Sequence, residues 1–224
     1  MTAEADRMKE AVARHALSYI EPAMVIGVGS GSTVQAFVRA LGESGLELAG
    51  AVPSSLDTGR MLAEAGVRVL EPGTVCALPL YVDGADQADP RLRLVKGGGG
   101  ALTREKIVAS MAERFVCIVD ETKLVLTLGG FPLPVEVLPC ALARVECHMR
   151  ALGGEPVLRT GFVSDNGNPI LDVSGLDLAC PEELETILDA LPGVVEHGLF
   201  SRRRADVLVV GLHAGGTRVL RVQG

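Results

Sequence analysis

Apolar residues recur along the first half of the chain in two alternating patterns. Met8, Val12 and Ala16 stand at four-residue spacing, which predicts an amphipathic helix over residues 6–20. Short and almost uniformly apolar runs follow, and they alternate with further helical patterns. The predicted strands are residues 24–29, 49–53, 67–70, 80–82, 92–95 and 115–119, and the other predicted helices are residues 32–41, 56–65 and 103–114. Strands that alternate with helices predict a Rossmann-like, mostly parallel sheet that is covered on both faces.

The pattern changes after Gly129 and Gly130. Four apolar runs now enclose two helical patterns in the order β-α-β-β-α-β, with the turn signal Asp-Asn-Gly-Asn at residues 165–168. The predicted strands are residues 133–138, 156–163, 169–173 and 194–200, and the predicted helices are residues 141–152 and 181–191. This order is that of the ferredoxin-like split motif. We therefore predict a Rossmann-like catalytic domain, residues 1–130 plus 201–224, with an inserted ferredoxin-like α+β lid domain, residues 131–200.

Composition and charge narrow the choice of partner. Hydrophobic residues make up 48% and charged residues 22% of the 224 positions, which is typical of a globular protein with a substantial core. The formal net charge of −7 argues against a nucleic-acid partner or an anionic membrane surface. An anionic small molecule stays compatible with this charge, because a binding site needs only local positive charge.

The cysteines and the N-terminus indicate the compartment. The five cysteines are scattered and form no Cys-x-x-Cys pair. The first ten residues are charged and lack a secretory apolar segment, and no apolar run approaches the length of a membrane span. We expect a reduced, cytoplasmic protein with no membrane partner.

Four consecutive glycines follow Lys96 and precede a predicted helix, in the segment KGGGGALTREK at residues 96–106. Such a run loses backbone entropy on folding and contributes no side-chain packing, so it predicts a backbone that lies against a ligand with its N–H groups turned inward. Glu105 falls in the first turn of the helix, where the helix dipole favours a carboxylate in any protein. Beside a cation such as Lys96, the same carboxylate suits proton abstraction next to a carbonyl group.

A second glycine-rich segment, GVGSGST at residues 27–33, lies between a predicted strand and a predicted helix. N–H groups at the helix start and three hydroxyl groups would form an anion site of the size of a phosphate. The segment lacks the lysine of a P-loop and the last glycine of a dinucleotide-binding fingerprint. The alternative is an ordinary glycine-rich turn from strand to helix.

Asp83 and Asp86 follow the predicted strand at residues 80–82, at the end that faces the ligand crevice of a parallel sheet. Paired carboxylates there handle sugar hydroxyl protons or bind a metal, and the alternative is a capped turn. No histidine accompanies them at ligand spacing, so we predict no metal site. A lysine, Lys123, follows the next strand within DETK, a sequence that is also common in surface turns.

Together these segments resemble the ribose-5-phosphate isomerase family of the A type. The resemblance rests on GVGSGST, DGAD at residues 83–86, KGGGGALTREK and DETK, and it covers nearly the whole chain in order. Three further segments are similar to the family: FPLPVEVLP at residues 131–139, DNGN at residues 165–168 and PGVVEHGLF at residues 192–200.

The resemblance implies an aldose–ketose isomerase that interconverts D-ribose 5-phosphate and D-ribulose 5-phosphate through a cis-enediolate, in the non-oxidative branch of the pentose phosphate pathway, with no cofactor and as a homodimer. It implies Glu105 as the proton acceptor, with Asp83, Asp86 and Lys96 as the other catalytic residues. The substrate phosphate is expected at Ser30, Gly31, Ser32 and Thr33, with Lys9 as a further phosphate contact, and the sugar at Gly84, Ala85, Gly97, Gly98, Gly99 and Lys123.

Three positions depart from the family pattern. Ser30 stands where threonine is usual, Gln87 where glutamate is usual, and Gly100 where a small side chain is common. Gln87 removes one negative charge near the expected site, and we expect it to alter the pH dependence. Two other functions use the same crevice: a sugar-phosphate deaminase, which would release ammonia, and a sugar-phosphate sensor, which would bind without turnover.

Overall fold

The computed structural model describes residues 3–221, which form two compact units. The first unit comprises the residues up to Ala85, Arg104–Leu124 and the residues from Ala205 onward, and the second comprises Asp86–Thr103 and Val125–Arg204. Residues 1, 2 and 222–224, which belong to the predicted first domain, lie outside the described residues. Over residues 3–221, every helix is too short or too polar to cross a lipid bilayer.

A six-stranded sheet forms the centre of the first unit. Its strands are β1 (Val25–Val28), β2 (Gly50–Pro53), β3 (Leu78–Asp83), β6 (Ala112–Asp120), β12 (Val207–Gly211) and β13 (Thr217–Arg221). The order in the sheet is β13-β12-β6-β3-β1-β2, and all pairs are parallel except β12 with β13. The prediction of a mostly parallel sheet is therefore confirmed.

The helices of the first unit are α1 (Ala3–Ala16), α2 (Ser32–Ser44), α3 (Leu56–Glu64) and the part of α4 (Leu102–Met111) that begins at Arg104. Helix α1 buries Met8, Val12 and Ala16 and packs against α2, β6 and β12. Ile26, Phe37 and Ile118 are among the buried residues of the core in this unit. The core is thus built mainly from Val, Leu, Ile and Ala, with Phe37 among them.

The second unit contains two antiparallel sheets. The larger sheet has β7 (Leu133–Val137), β8 (Glu155–Leu158), β9 (Ile170–Ser174) and β10 (Val194–His197), in the order β10-β7-β9-β8, with α5 (Leu142–Ala151) and α6 (Pro181–Asp189) as the two helices. This is the ferredoxin-like arrangement that the β-α-β-β-α-β pattern predicts. The smaller sheet has β4 (Gln87–Ala88), β5 (Leu94–Val95) and β11 (Leu199–Phe200), in the order β11-β5-β4.

The compact units differ from the predicted domain boundaries at residues 86–103, 125–130 and 201–204, which the sequence places with the first domain. Residues 86–103 belong to the second unit because β4 and β5 pair with each other and β5 pairs with β11. The long strand predicted at residues 194–200 is therefore two strands, β10 and β11. They separate at Gly198, whose backbone lies against that of Lys96: the Lys96 N–H donates to the Gly198 carbonyl at 2.8 Å.

The strand predicted at residues 156–163 ends early, at Leu158. Two other local predictions are wrong for a common reason. Residues 67–70 do not form a strand and contribute one isolated parallel bridge between Ala51 and Val69. The helix predicted to continue to residue 114 ends at Met111, because Ala112 pairs with Leu78 and starts β6. In both places a tertiary contact decides the structure, and the local sequence pattern does not contain it.

Candidate active site

The loops that follow β1 and β3 lie side by side at the carboxyl edge of the parallel sheet. Val28 and Val82 are paired, so the chain leaves both strands at the same level. From β1 the chain continues to β2 on one side, whereas β3 is bordered by β6 on the other side. Such a reversal of strand order is where open α/β sheets bind their ligands. The sequence-predicted residues Ser30 and Asp83 stand at this point.

Asp83 is fully buried, and its carboxylate accepts several hydrogen bonds. Oδ1 accepts from the Ser30 N–H at 2.9 Å and from the Gly84 N–H at 2.7 Å, and Oδ2 accepts from the hydroxyl of Tyr81. Hydrogen bonds of this kind compensate a buried carboxylate for its lost hydration. Asp83 therefore has a fixed position and connects the loops after β1 and β3.

Gly29 allows this close approach. A β-carbon on Gly29 would lie 1.8 Å from Asp83 Oδ1 and 1.9 Å from its Cγ, so no other residue fits without displacing the carboxylate. The Gly29 backbone is held on both sides, because its N–H donates to the Val82 carbonyl at 2.8 Å and its carbonyl accepts from Thr58 Oγ1 at 2.7 Å. The glycine is required here by contact with the aspartate.

Glu105, the predicted base, lies in the first turn of α4 and is 3% exposed. Its Oε1 accepts a hydrogen bond from Ser30 Oγ at 2.6 Å. Ser30 thus donates to both carboxylates, from its backbone to Asp83 and from its side chain to Glu105. The first unit brings these three predicted residues into one hydrogen-bonded group.

Tyr81 belongs to the same group, although its sequence context gives no sign of it. It lies two residues before Asp83 on β3, on the same face of the strand. The centre of its ring lies 4.9 Å from the centre of the Phe115 ring. Burial raises the pKa of the Tyr81 hydroxyl well above its usual value, and the negative charges of Asp83 and Glu105 raise the pKa further. The hydroxyl therefore stays protonated and acts as a hydrogen-bond donor to Asp83.

The start of helix α2 carries the predicted phosphate-binding residues. Gly31 has a φ of 90°, which glycine adopts at little cost, and it precedes the first helical residue, Ser32. The N-cap residue, Gly31, has no side chain with which to cap this helix start. Gly31 and Ser32 are exposed and Thr33 is half-buried, so the first N–H groups of the helix and the hydroxyls are accessible to an anion.

The second unit carries the predicted residues Asp86, Lys96 and the glycine loop, which we define as residues 97–100. Lys96 is 2% exposed, and its Nζ lies 5.6 Å from the centre of the Phe200 ring. Asp86 Oδ2 accepts a 2.8 Å hydrogen bond from the Gly98 N–H. Gly98 and Gly99 are exposed, so their backbone is open to a ligand, while Gly97 is buried.

The remaining predicted residues lie on other elements. Gly84 and Ala85 are half-buried in the segment that follows β3. Lys123 ends a single 3₁₀ turn, Glu121–Lys123, directly after β6, and Lys9 is a half-buried residue of α1. Both lysines belong to the first unit.

A buried carboxylate that the sequence analysis missed organises part of the second unit. Glu136, on β7, is fully buried and accepts hydrogen bonds from Thr103 Oγ1 at 2.5 Å, Ser164 Oγ at 2.9 Å and Asn168 Nδ2 at 2.8 Å. Thr103 is two residues before Glu105, and Asn168 belongs to the DNGN turn. The apolar pattern alone does not identify this residue. A glutamate in the middle of an apolar strand could have indicated it, because a charged residue is rarely buried without partners.

Asp189, Glu196 and His197 form a cluster of ligand-type side chains in the second unit, with one atom of each within 4.8 Å of the others. His197 Nδ1 accepts from the Leu199 N–H at 3.3 Å, which places the proton on Nε2, 3.0 Å from Asp189 Oδ1. Arg202 Nη1 lies 3.1 Å from Asp189 Oδ2. The hydrogen bond from His197 and the ion pair with Arg202 explain why these side chains lie together.

Each of three comparisons with known proteins finds the same family. The family model of ribose 5-phosphate isomerase A (phosphoriboisomerase A) matches residues 50–215. A ribose-5-phosphate isomerase A from Acidithiobacillus ferrooxidans is 52% identical over 211 residues, which are 94% of this chain and 96% of the relative. The crystal structure of ribose 5 phosphate isomerase A from Neisseria gonorrhoeae is similar with a TM-score of 0.96 at 42% identity, over 98% of both chains. A D-ribose-5-phosphate isomerase in complex with phospho-erythronic acid is similar with a TM-score of 0.93 at 36% identity, over 99% of this chain and 100% of the other.

Proposed function

The chain belongs to the ribose-5-phosphate isomerase A family, and on this premise we propose that it interconverts D-ribose 5-phosphate and D-ribulose 5-phosphate through a cis-enediolate with Glu105 as the base. The chain is an aldose–ketose isomerase. The observation that carries the assignment of the base is the buried carboxylate of Glu105, which the Ser30 hydroxyl holds at 2.6 Å beside the buried Asp83.

The proposed reaction moves one proton between neighbouring carbons. Glu105 takes the proton from C2 of the open-chain aldose, the electron pair of the C–H bond forms the C1–C2 double bond, and the π pair of the C1–O1 bond moves onto O1 to give the enediolate. Glu105 then returns the proton to C1, while the proton on O2 passes to O1. A positioned base of this kind contributes about 10²- to 10⁴-fold to the rate.

The other residues bind the substrate and stabilise the charge. We assign the phosphate to the helix start at Ser30, Gly31, Ser32 and Thr33, where N–H groups and hydroxyls are accessible, with Lys9 as a further cation. Asp83 and Asp86 accept hydroxyl protons during ring opening and orient the sugar, together with Gly84, Ala85 and Lys123. The fixed position of Asp83 supports this role.

Lys96 and the glycine loop stabilise the negative charge that develops on the substrate oxygen. A cation and backbone N–H groups that are in place before the reaction stabilise such a charge without reorganisation. The burial of Lys96 supports this role, because a charge in a water-poor environment acts more strongly on its neighbours.

The assignment is tested with purified, chelator-treated protein and D-ribose 5-phosphate. Since only side chains and backbone groups of the chain take part in the proposed steps, we expect ketose formation at an undiminished rate after chelation. Ammonia release from an amino sugar phosphate would indicate a deaminase, and binding without turnover would indicate a sensor. Either of these results contradicts the proposal.

We also propose a cytoplasmic homodimer that serves the non-oxidative branch of the pentose phosphate pathway. The support for this is the family membership. Light scattering coupled to size-exclusion chromatography tests the dimer: the expected mass is twice the 23.4 kDa of the chain. A mass of one chain at micromolar concentration contradicts it.

A further inference from the structure

Two carbonyl groups of the glycine loop, those of Gly97 and Gly98, accept hydrogen bonds from the guanidinium of Arg159, and the Gly97 carbonyl also accepts one from the Gly100 N–H at 2.9 Å. Arg159 Nη1 donates to the Gly98 carbonyl at 3.2 Å and to the Gly97 carbonyl at 3.3 Å, and Nη2 lies 3.3 Å from the Gly97 carbonyl. We propose that Arg159, held by Asp172, is a positioning residue that aims the Gly99 N–H of this loop at the reacting substrate. This inference rests on the proposed function, in which the glycine loop stabilises the enediolate.

The planarity of the peptide group makes the carbonyl contacts decide where the N–H groups point. In a trans peptide, the carbonyl and the following N–H point in opposite directions, and residues 3–221 contain no cis peptide bond. Because the Gly97 carbonyl faces Arg159, the Gly98 N–H points away from it and donates to Asp86 at 2.8 Å. The Gly98 carbonyl also faces Arg159, so the Gly99 N–H is turned to the side away from the guanidinium.

The position of Arg159 is itself fixed. Its Nε donates to Asp172 Oδ2 at 2.8 Å and its Nη2 to Asp172 Oδ1 at 2.5 Å, a bidentate arrangement that defines the plane of the guanidinium. The guanidinium carbon also lies 5.2 Å from the centre of the Phe162 ring. The same ring covers Gly100, where a β-carbon would lie 2.1 Å from Phe162 Cζ. Strand β9, through Asp172 and Arg159, therefore holds the Gly97 and Gly98 carbonyls on one side of the glycine loop.

A cation on the carbonyl side also strengthens the donors on the opposite side. Hydrogen bonds to a carbonyl polarise the peptide group, and the N–H of that group becomes a better donor. The substrate carries its additional negative charge only in the transition state and the intermediate, so this effect lowers the barrier more than it improves ground-state binding. Removal of the Arg159 side chain is therefore expected to lower kcat, with little change in KM.

The test compares Arg159→Ala, Arg159→Lys and Asp172→Asn with Arg150→Ala, which removes an exposed arginine of α5 whose ion pair with Glu146 lies within that helix. We expect Arg159→Ala to lower kcat about 10- to 100-fold with KM changed by less than about threefold, since one lost oxyanion donor costs about 10²- to 10³-fold. Arg159→Lys keeps the charge and loses the fork, so we expect it to recover only part of this loss. We expect Asp172→Asn to lower kcat in the same direction, and Arg150→Ala to leave both constants unchanged.

Chemical rescue separates positioning from a general loss of structure. Low millimolar guanidinium added to Arg159→Ala should restore kcat several-fold, and the same concentration of urea should not. An unchanged kcat in Arg159→Ala overturns the inference. A lower kcat that guanidinium does not restore, and that is proportional to the fraction of unfolded protein, also overturns it. If Arg159→Ala does not fold, an unchanged kcat in Arg159→Lys and Asp172→Asn overturns it equally. Full activity of Glu105→Gln would instead contradict the proposed function, so the two failures are distinguishable.

Discussion

The hydroxyl of Ser30 donates a 2.6 Å hydrogen bond to Oε1 of Glu105, although 75 residues separate the two in the chain. The same serine donates its N–H to Asp83, so a single residue connects the proposed base with the carboxylate at the end of β3. The position of the base thus depends on the turn between β1 and α2.

Replacement of Ser30 by alanine should lower kcat about tenfold or more. The hydrogen bond to a charged group contributes about 1.5–3 kcal/mol, and its loss leaves the carboxylate of Glu105 less well oriented. Ser30→Thr keeps the hydroxyl and is the matched control, with an expected kcat within about threefold of the parent. Steady-state kinetics on both variants provide the measurement, and equal kcat values for Ser30→Ala and Ser30→Thr would refute the role of the hydroxyl.

Gly29→Ala should destabilise the protein and reduce its activity together. The added methyl group would lie 1.8 Å from Asp83 Oδ1, and such overpacking costs about 1–3 kcal/mol or more of unfolding free energy. Gly73→Ala is the matched control, because a β-carbon at Gly73 meets nothing within 4 Å. Urea denaturation and turnover are measured on both variants. A Gly29→Ala protein as stable and active as Gly73→Ala would contradict the close contact.

Gly100 and Phe162 should be energetically coupled. Gly100→Ala places a β-carbon against the Phe162 ring at a φ of +83°, so it carries both a clash and about 1–2 kcal/mol of backbone strain. In a Phe162→Val background the clash is relieved and only the strain remains. A double-mutant cycle of unfolding free energies is expected to give a coupling of about 1 kcal/mol or more. Simple additivity of the two substitutions would show that the ring does not exclude a side chain at position 100.

Tyr81→Phe should change how stability depends on alkaline pH. Burial raises the pKa of the folded Tyr81 well above 10.0, the value we take for the unfolded chain, so the folded state keeps a proton that the unfolded state loses. The stability that arises from this difference is complete below pH 10 and is lost as the pH rises further, by about 1.4 kcal/mol per pH unit. The parent should therefore lose unfolding free energy more steeply than Tyr81→Phe above pH 10. Equal slopes in urea denaturation from pH 9 to pH 11 would contradict the buried phenol.

Much of the candidate site was predictable because its residues follow strands in short motifs. Asp83, Lys96 and Glu105 are recognised from local spacing and from the resemblance to a family, which the comparisons confirm. The fold class was predictable for the same reason, since strand and helix periodicities are local properties. The similarity to solved structures confirms that prediction. The residue-by-residue roles in catalysis stay a prediction.

The contacts that connect these motifs were not predictable. Tyr81 lies in an apolar run and reads as a core residue, and only the folded strand places its hydroxyl beside Asp83. Arg159 is separated by 62 residues from Gly97, so its contact with the glycine loop depends on the pairing of strands in the second unit. Gly100 was recognised from the sequence as a departure from the family pattern. Only the structure shows why a glycine stands there: the ring of Phe162 occupies the space that a β-carbon would need.

The departure at position 87 also has a structural consequence. Gln87 is 7% exposed, and its Oε1 accepts a 3.0 Å hydrogen bond from the Gly129 N–H. The amide thus fixes the backbone at Gly129 without adding a charge to the second unit. The expected effect of Gln87 on pH dependence stays a prediction.

The most direct test of the proposed mechanism is the turnover of D-ribose 5-phosphate by Glu105→Gln. This substitution preserves the size of the side chain and removes the base, so kcat should fall by at least about 10²-fold while KM changes only modestly. The folded state of the variant is verified by its urea denaturation curve. A correctly folded Glu105→Gln enzyme with near-normal kcat would show that another group transfers the proton.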